Sequence, residues 1–125
     1  MIYTENLEEA VRGADIIYTD MRIALTEMEN VPLERIYKLY PYRVDRKVMA
    51  KTHDNSIFMH CLPALHDKKS KLAKKVISKL PKDMDFDGME VTDEVFRSEK
   101  SMVFDQTENR IPAVKAILYS TLKTE

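Results

Sequence analysis

The stretch Ser56-Ile57-Phe58-Met59-His60-Cys61-Leu62-Pro63 contains the more apolar of two predicted strands in this 125-residue chain. A short apolar run that ends at a cysteine and a proline is typical of a buried strand followed by a loop. A second run of this kind, Asp15-Ile16-Ile17-Tyr18-Thr19-Asp20, lies earlier in the chain and ends at a carboxylate. Two buried strands that alternate with helical segments predict an α/β fold.

Helical segments surround both strands. Apolar residues at helical spacing, together with capping and proline signals, predict helices over residues 6–12, from Pro32 to Leu39, over 44–51, over 67–80 and over 106–122. Residues 21–31 have weak periodicity and are predicted as a loop or a short helix. This order predicts a three-layer α/β sandwich around a mostly parallel sheet. Two clear strands are few for a sheet covered on both faces, so we expect the sheet to be incomplete.

Composition excludes several function classes. A net charge of −1, from 20 basic and 21 acidic residues, provides no field that would gather nucleic acid. One cysteine cannot form an internal disulfide and, with three scattered histidines, cannot build a zinc cage. Two glycines are too few for the glycine-rich loops that bind phosphates. No apolar run is long enough to span a membrane and no signal peptide is evident, so we expect a cytoplasmic protein.

Candidate site residues follow the predicted strands, because ligands of parallel sheets bind beyond the carboxyl ends of the strands. Asp20 and Cys61 lie there, and residues 105–110 add polar side chains at the start of the last helix. His60 and Cys61 are strand neighbours whose side chains point to opposite faces, which argues against a thiol nucleophile with an adjacent base. Taken alone, Asp20 is equally consistent with a strand-end cap, and Arg110 with a surface residue. His53 and His66 are predicted to be surface residues.

Four segments, in order along nearly the whole chain, resemble the ornithine carbamoyltransferase family. They are Ala10–Asp20, Phe58-Met59-His60-Cys61-Leu62-Pro63-Ala64, Asp87–Phe96 and Val103-Phe104-Asp105-Gln106-Thr107-Glu108-Asn109-Arg110. The resemblance implies that residues 1–125 form a partial C-terminal, amino-acid-binding domain without the N-terminal carbamoyl-phosphate domain. It implies carbamoyl transfer from carbamoyl phosphate to ornithine, giving citrulline and phosphate, with no metal or cofactor.

The resemblance also implies roles for particular residues. Asp20 would hold the amino-acid part of ornithine, and Cys61 would lie near the attacking amine as a placing or polarising group. Cys61 and Leu62 would present backbone carbonyls to the carbamoyl amide across a cis Leu62–Pro63 bond. Arg110 would contact carbamoyl phosphate. Members of the family are trimers whose sites borrow residues from a neighbouring subunit, so a complementing N-terminal half is an expected partner.

The chain also departs from the family pattern. Where the family carries an aromatic residue and then a Ser-Met-Gly stretch, this chain has Arg22 and then Ala24-Leu25-Thr26. The family's Ser-x-Arg-Thr phosphate loop is not found in these 125 residues. Three hypotheses therefore stand: a carbamoyltransferase piece that is inactive alone, a non-catalytic module that binds an amino acid or a partner, and a carbamoyltransferase half with a different amine acceptor.

Overall fold

The computed structural model describes residues 2–23, 27, 33–82 and 84–123. Within these ranges helices and strands alternate along the chain. The elements are α1 (Leu7–Val11), β1 (Ile16–Thr19), α2 (Leu33–Leu39), a 3-10 turn (Tyr40–Tyr42), α3 (Arg46–Met49), β2 (Ile57–His60), α4 (Lys71–Ile77), α5 (Asp93–Phe96) and α6 (Val103–Leu122). None of these helices is long and apolar enough to cross a membrane.

The two predicted strands form a parallel pair. β1 and β2 are in register from Ile16 opposite Ile57 to Thr19 opposite His60. On the other side of β2, the Phe58 amide donates to the carbonyl of Lys100 at 2.8 Å and the Phe58 carbonyl accepts from Met102 at 2.9 Å. The α/β class and the parallel sheet predicted from the sequence are therefore confirmed. The extended backbone at Ser101 is limited to an isolated bridge with Phe58, because α6 begins at Val103.

The two faces of the sheet differ in how they are covered. Ile17 and Phe58 point into a buried cluster that contains residues of α3 and α5. On the opposite face Ile16 and Tyr18 are each 55% exposed. The start of α6 approaches this second face, where Gln106 Nε2 donates to the Tyr18 hydroxyl at 2.9 Å. In the part of the chain that the structure describes, helices thus cover the first face more completely than the second, and the sheet has two strands, which agrees with the incomplete sheet expected from the sequence.

Two apolar cores hold the fold together. The first is centred on Phe58, which is fully buried. Its buried members are Val11, Ile17, Val44, Val48, Met49, Phe58, Val91, Val95, Phe96 and Val103. The second core lies beside the sheet and joins α2 to α4. Its buried members are Ile23, Ile36, Leu65, Ala73, Val76, Leu80, Phe86 and Met89.

Several helices are shorter than the sequence predicts. The helix predicted over 67–80 spans Lys71–Ile77, because Ser70 caps it and Asp67 forms a separate turn with the amides of Lys69 and Ser70. The helix predicted over 44–51 is reduced to Arg46–Met49, as described next. The predicted start of α2 at Pro32 and most of the 21–31 segment lie outside the described residues.

The start of α3 is set by tertiary pairing. Asp45 Oδ1 caps the helix by accepting from the Val48 amide at 2.9 Å. Val44 cannot join the helix because it pairs with Val91 in an isolated parallel bridge. Val44, Val48 and Met49 are nevertheless all buried.

Candidate active site

The residues that follow β1 and β2 meet at the carboxyl edge of the sheet. Thr19 and His60 are the last paired residues, so the chain leaves both strands side by side. Asp20 and Cys61 come next, and the Cys61 thiol donates to Asp20 Oδ1 at 2.9 Å. The structure thus brings together two residues that are 41 positions apart in the sequence.

The hydrogen bonds of Asp20 keep its carboxylate ionised. The thiol of Cys61 and then the backbone amide of Met21, which donates at 2.7 Å, lower the pKa of Asp20. Both hydrogen bonds end on Oδ1, and none from a described residue ends on Oδ2. Asp20 therefore presents a negative oxygen that can accept from an ammonium group.

The environment of Cys61 favours a protonated thiol. Burial raises its pKa first, and the hydrogen bond to Asp20 and the charge of that carboxylate raise it further. Nucleophilic cysteines instead have a lowered pKa. The geometry therefore agrees with the sequence argument against a covalent thiol nucleophile and leaves Cys61 as a hydrogen-bond donor.

The loop after Cys61 turns at Leu62–Pro63, whose peptide bond is cis as the resemblance implied. Leu62 is 40% exposed. A cavity of about 140 Å³ lies between this loop and the segment that follows Asp20. Met21 and Ile23 line it from one side, and Pro63 and Leu65 from the other. The two loops are thus adjacent walls of one small space.

Arg110 is not joined to this pair. It lies on α6 and is exposed. No hydrogen bond or ion pair links it to Asp20, Cys61 or Leu62 in the ranges that the structure describes. Of the four residues predicted for the site, the structure brings Asp20, Cys61 and Leu62 to one edge and leaves Arg110 on a solvent-facing helix.

Glu90 is a residue of this region that sequence reasoning missed. Its side chain is buried, with 2% exposure. Oε1 accepts from the Arg22 amide at 3.1 Å, and Oε2 accepts from the Leu65 amide at 3.0 Å. Burial raises the pKa of Glu90, against the effect of these backbone donors. The available signal was an acid between two apolar residues, Met89 and Val91, in a stretch that is otherwise core.

Arg22, which stands where the family carries an aromatic residue, has a structural role. Its guanidinium donates to the carbonyls of Leu39 at 2.5 Å, Tyr42 at 2.7 Å and Met89 at 3.0 Å. These bonds fix the segment after Asp20 against the end of α2 and the 3-10 turn. The other three departures, Ala24-Leu25-Thr26, lie outside the described residues.

His60 is the last paired residue of β2 and comes directly before Cys61. Its ring is fully buried, and Nδ1 lies 2.7 Å from the Thr19 hydroxyl. Burial lowers the pKa of His60. Its Nε2 has no hydrogen-bond partner among the described atoms. A neutral, inward-facing ring agrees with the sequence argument that His60 does not serve as the base of Cys61.

One cluster of three side chains has the residue types of a metal site, but hydrogen bonds within the protein account for its arrangement. Ligand atoms of His66, Asp67 and Asp93 lie within 4.8 Å of one another. Asp93 accepts from Arg97 and is 2.7 Å from His66 Nδ1. The prediction of a surface His66 is wrong in detail, because its side chain is only 15% exposed and its ring stacks on Phe96 at 3.7 Å.

A comparison with models of known protein families identifies the family of this chain. The model of the aspartate/ornithine carbamoyltransferase Asp/Orn binding domain matches residues 1–121.

The chain belongs to the aspartate/ornithine carbamoyltransferase family.

The family resemblance predicted from four segments is thus confirmed. The catabolic ornithine carbamoyltransferase of Clostridium perfringens is 44% identical over 120 residues, which are 95% of this chain and 35% of that protein. The chain spans about a third of the length of the curated relatives it matches.

Solved structures of carbamoyltransferases have the same fold. The ornithine carbamoyltransferase of Pyrococcus furiosus superposes with a TM-score of 0.67 at 34% identity, covering 90% of this chain and 29% of that one. An N-acetyl-L-ornithine transcarbamylase superposes with a TM-score of 0.62 at 26% identity, covering 94% of this chain and 29% of that one. Carbamoyltransferases with two different named acceptors therefore share the backbone that carries Asp20 and Cys61.

Proposed function

We propose that residues 1–125 form the ornithine-binding part of an ornithine carbamoyltransferase, which gives citrulline and phosphate from ornithine and carbamoyl phosphate. The observation that carries the proposal is the Asp20–Cys61 pair at the carboxyl edge of two parallel strands, within a chain that matches the family's Asp/Orn binding domain. The carbamoyl-phosphate domain is proposed to lie outside these residues.

Asp20 and Cys61 suit the amine side of this reaction. The free Oδ2 of Asp20 would accept from the ammonium of the amino-acid part of ornithine. Cys61 would place and polarise the side-chain amine. The uncharged amine nitrogen then forms a bond to the carbonyl carbon of carbamoyl phosphate, the bond from that carbon to the phosphate oxygen breaks, and phosphate leaves with the electron pair. The nitrogen gives up one proton, and the leaving phosphate would accept it.

Arg110 and the carbonyls of Cys61 and Leu62 suit the carbamoyl side. The two carbonyls would accept from the carbamoyl amide. Negative charge develops on the carbonyl oxygen and on the leaving phosphate, and a guanidinium is a permanent, rigid donor for such oxygens. Arg110 makes no hydrogen bond or ion pair with Asp20, Cys61 or Leu62 in the described residues, so its contact with carbamoyl phosphate belongs to the proposal.

The surface of α6 supports such a complementing part. From Phe104 to the end of the helix, large apolar side chains are exposed. They are Phe104, Ile111, Val114, Ile117, Leu118, Tyr119 and Leu122. A contiguous apolar patch of this kind marks an interaction surface. We propose that the carbamoyl-phosphate half of the enzyme packs there, within a cytoplasmic trimer of the kind the family forms.

A complementation assay tests the proposal. The chain would be mixed with the carbamoyl-phosphate domain of the Clostridium perfringens relative, and citrulline formation would be measured with both substrates present. We expect no turnover from the chain alone and measurable turnover from the mixture. Arg110→Gln should abolish turnover, whereas Arg12→Gln, at an exposed arginine that ends α1, should not. Turnover by the chain alone, or by the Arg110→Gln mixture at full rate, would contradict the proposal.

A different amine acceptor is the second candidate, and the Ala24-Leu25-Thr26 departure favours it. The similarity to an N-acetyl-L-ornithine transcarbamylase shows that this backbone accommodates a modified ornithine elsewhere. Calorimetry would compare ornithine, N-acetylornithine and other diamino acids. Heat from ornithine alone supports the first function, and heat from another amine alone supports the second. Binding of any of them without turnover in the complemented mixture supports a non-catalytic amino-acid-binding module.

A further inference from the structure

The two loops that form the candidate site are tied to one side chain. Each carboxylate oxygen of Glu90 accepts a hydrogen bond from a different loop: Oε1 from the Arg22 amide and Oε2 from the Leu65 amide. Arg22 is two residues beyond Asp20, and Leu65 is four residues beyond Cys61. The carboxylate therefore bridges the loops just behind the point where Asp20 and Cys61 meet.

The backbone that carries Glu90 is itself fixed. Its carbonyl accepts from the Val44 amide at 2.9 Å, and its neighbours Met89 and Val91 are fully buried. Gly88 precedes this segment with a φ of +81°, a conformation that side chains with a Cβ rarely adopt. Glu90 is thus a rigid point of attachment, and its neighbour Met89 packs in the same buried cluster as Ile23 and Leu65 of the two loops.

Arg22 secures the same loop from its other side. While its amide donates to Glu90, its guanidinium donates to the carbonyls of Leu39, Tyr42 and Met89. Glu90 and the carbonyls around the Arg22 guanidinium therefore hold the loop after Asp20 from two sides. The loop after Cys61 is held through both backbone groups of Leu65, because its amide donates to Glu90 Oε2 at 3.0 Å and its carbonyl accepts from the Met89 amide at 2.7 Å.

We propose that Glu90 is a positioning residue that sets the separation of Asp20 and Cys61 by holding the backbone of both loops. Its importance for catalysis rests on the proposed function. Its effect on the separation of Asp20 and Cys61 does not. Replacement by glutamine turns one of the two acceptors into a donor. An NH₂ group then faces a backbone N–H, and a buried donor is left without a partner, which weakens the hold on that loop.

Alkylation of Cys61 measures this geometry without any substrate, because Cys61 is the single cysteine of the chain. Iodoacetamide labelling would be followed across pH 6–10 in wild type, Glu90→Gln, Asp20→Asn and the double variant. When the loops separate, the thiol loses its carboxylate neighbour, more of it ionises, and labelling near neutral pH accelerates on the order of threefold to tenfold. We expect this acceleration, with a pH profile moved to lower pH, in both single variants.

The double variant tests whether Glu90 acts by positioning Asp20 against Cys61 or by stabilising the structure in general. If Glu90 acts by holding Asp20 against Cys61, then Glu90→Gln adds nothing once Asp20 is asparagine. Equal, independent accelerations in the two backgrounds would overturn the proposal, and so would an unchanged pH profile in Glu90→Gln. Glu94→Gln, which removes the same charge from an exposed position on α5, is the matched control and should label like wild type.

A measurement on the wild type covers the case in which Glu90→Gln does not fold. The amide proton shifts of Arg22 and Leu65 should titrate together with one apparent pKa, because both amides donate to the same carboxylate. Separate titration of the two amides, or none, would overturn the proposal. A chain that gives no citrulline in the complemented assay but shows the Glu90→Gln labelling effect would refute the function and retain the positioning role.

Discussion

The thiol of Cys61 donates to Oδ1 of Asp20 at 2.9 Å, and this contact joins the ends of the two strands that form the parallel pair. Its electrostatic result is asymmetric. The bond lowers the pKa of Asp20, while burial and then Asp20 raise the pKa of Cys61. The proton thus stays on sulfur and the charge stays on the carboxylate, an arrangement that suits recognition of an amine more than covalent catalysis.

The first prediction concerns the reactivity of Cys61 in the folded and unfolded chain. Because the thiol pKa is raised in the fold, alkylation at neutral pH should be slower in the native chain than in the same chain in urea. Raising the pH should narrow the difference as the native thiol ionises. Mass spectrometry of iodoacetamide-treated samples measures both rates. A native thiol that reacts faster than the unfolded one would contradict the assigned proton position.

The second prediction concerns Gly88. A Cβ added there would lie 2.0 Å from the carbonyl oxygen of Val91 and 3.0 Å from that of His66, at a φ of +81°. We expect Gly88→Ala to destabilise the chain by about 3 kcal/mol or more, since backbone clash adds to the left-handed conformation. Urea unfolding followed by circular dichroism measures the loss.

Gly13→Ala is the control for Gly88→Ala. Gly13 also has a positive φ, +65°, but among the described residues a Cβ there would meet the His53 ring alone, at 3.5 Å from Nε2 and 3.7 Å from Cε1, which are ordinary contacts. Its cost should be about 1 kcal/mol, the conformational component alone. Equal losses for the two variants would show that the Gly88 contacts do not matter.

The third prediction is a loss of stability in mild acid through His60. Burial lowers the pKa of its ring in the folded state, whereas the unfolded chain has the ordinary value of about 6.5. Below that pH the unfolded state binds the proton more readily, so the free energy of unfolding should fall as pH drops from about 6.5 towards the lower, folded-state pKa. Urea unfolding at pH 7.5 and pH 5.5 measures the change.

Substitution tests whether His60, rather than another titratable group, causes the loss of stability in acid. His60→Asn should reduce the difference in stability between the two pH values, although it lowers stability at both. His53→Asn, at an exposed histidine, should leave the difference as in wild type. A pH dependence that survives in His60→Asn would assign it to other groups.

The fourth prediction concerns the apolar surface of α6. Ile111 and Leu118 are 63% and 50% exposed and lie two turns apart on the helix. We expect the isolated chain to self-associate through this surface, and Ile111→Lys with Leu118→Lys to return it to a monomer. Light scattering after size exclusion measures the mass. Lys115→Gln, on the same helix, should not change it, and a monomeric wild type would refute the prediction.

The fold class was predictable because its signals are local. Two short apolar runs predicted β1 and β2, and apolar residues at helical spacing predicted the helix that contains α4. Helix ends were less predictable. The start of α3 depends on the pairing of Val44 with Val91, and no local pattern around Val44 reveals a partner 47 residues away.

The candidate site was likewise only partly predictable from the sequence. Asp20, Cys61 and the Leu62–Pro63 turn were found from strand ends and from family resemblance. Glu90 and Arg22 were missed, because their roles come from backbone groups of distant segments rather than from a motif around them. Arg110 was assigned by resemblance alone, and its part in the site stays a prediction.

The sequence by itself determined the α/β class, the strand ends as the place for chemistry, and the family. Periodicity, capping residues and ordered motifs act over a few residues, so they survive without coordinates. Only the tertiary structure decided that Asp20 and Cys61 touch and that Glu90 ties their loops together. Parallel strands are paired through long connections, and the contacts at their ends depend on register and on buried hydrogen bonds between segments far apart in the chain.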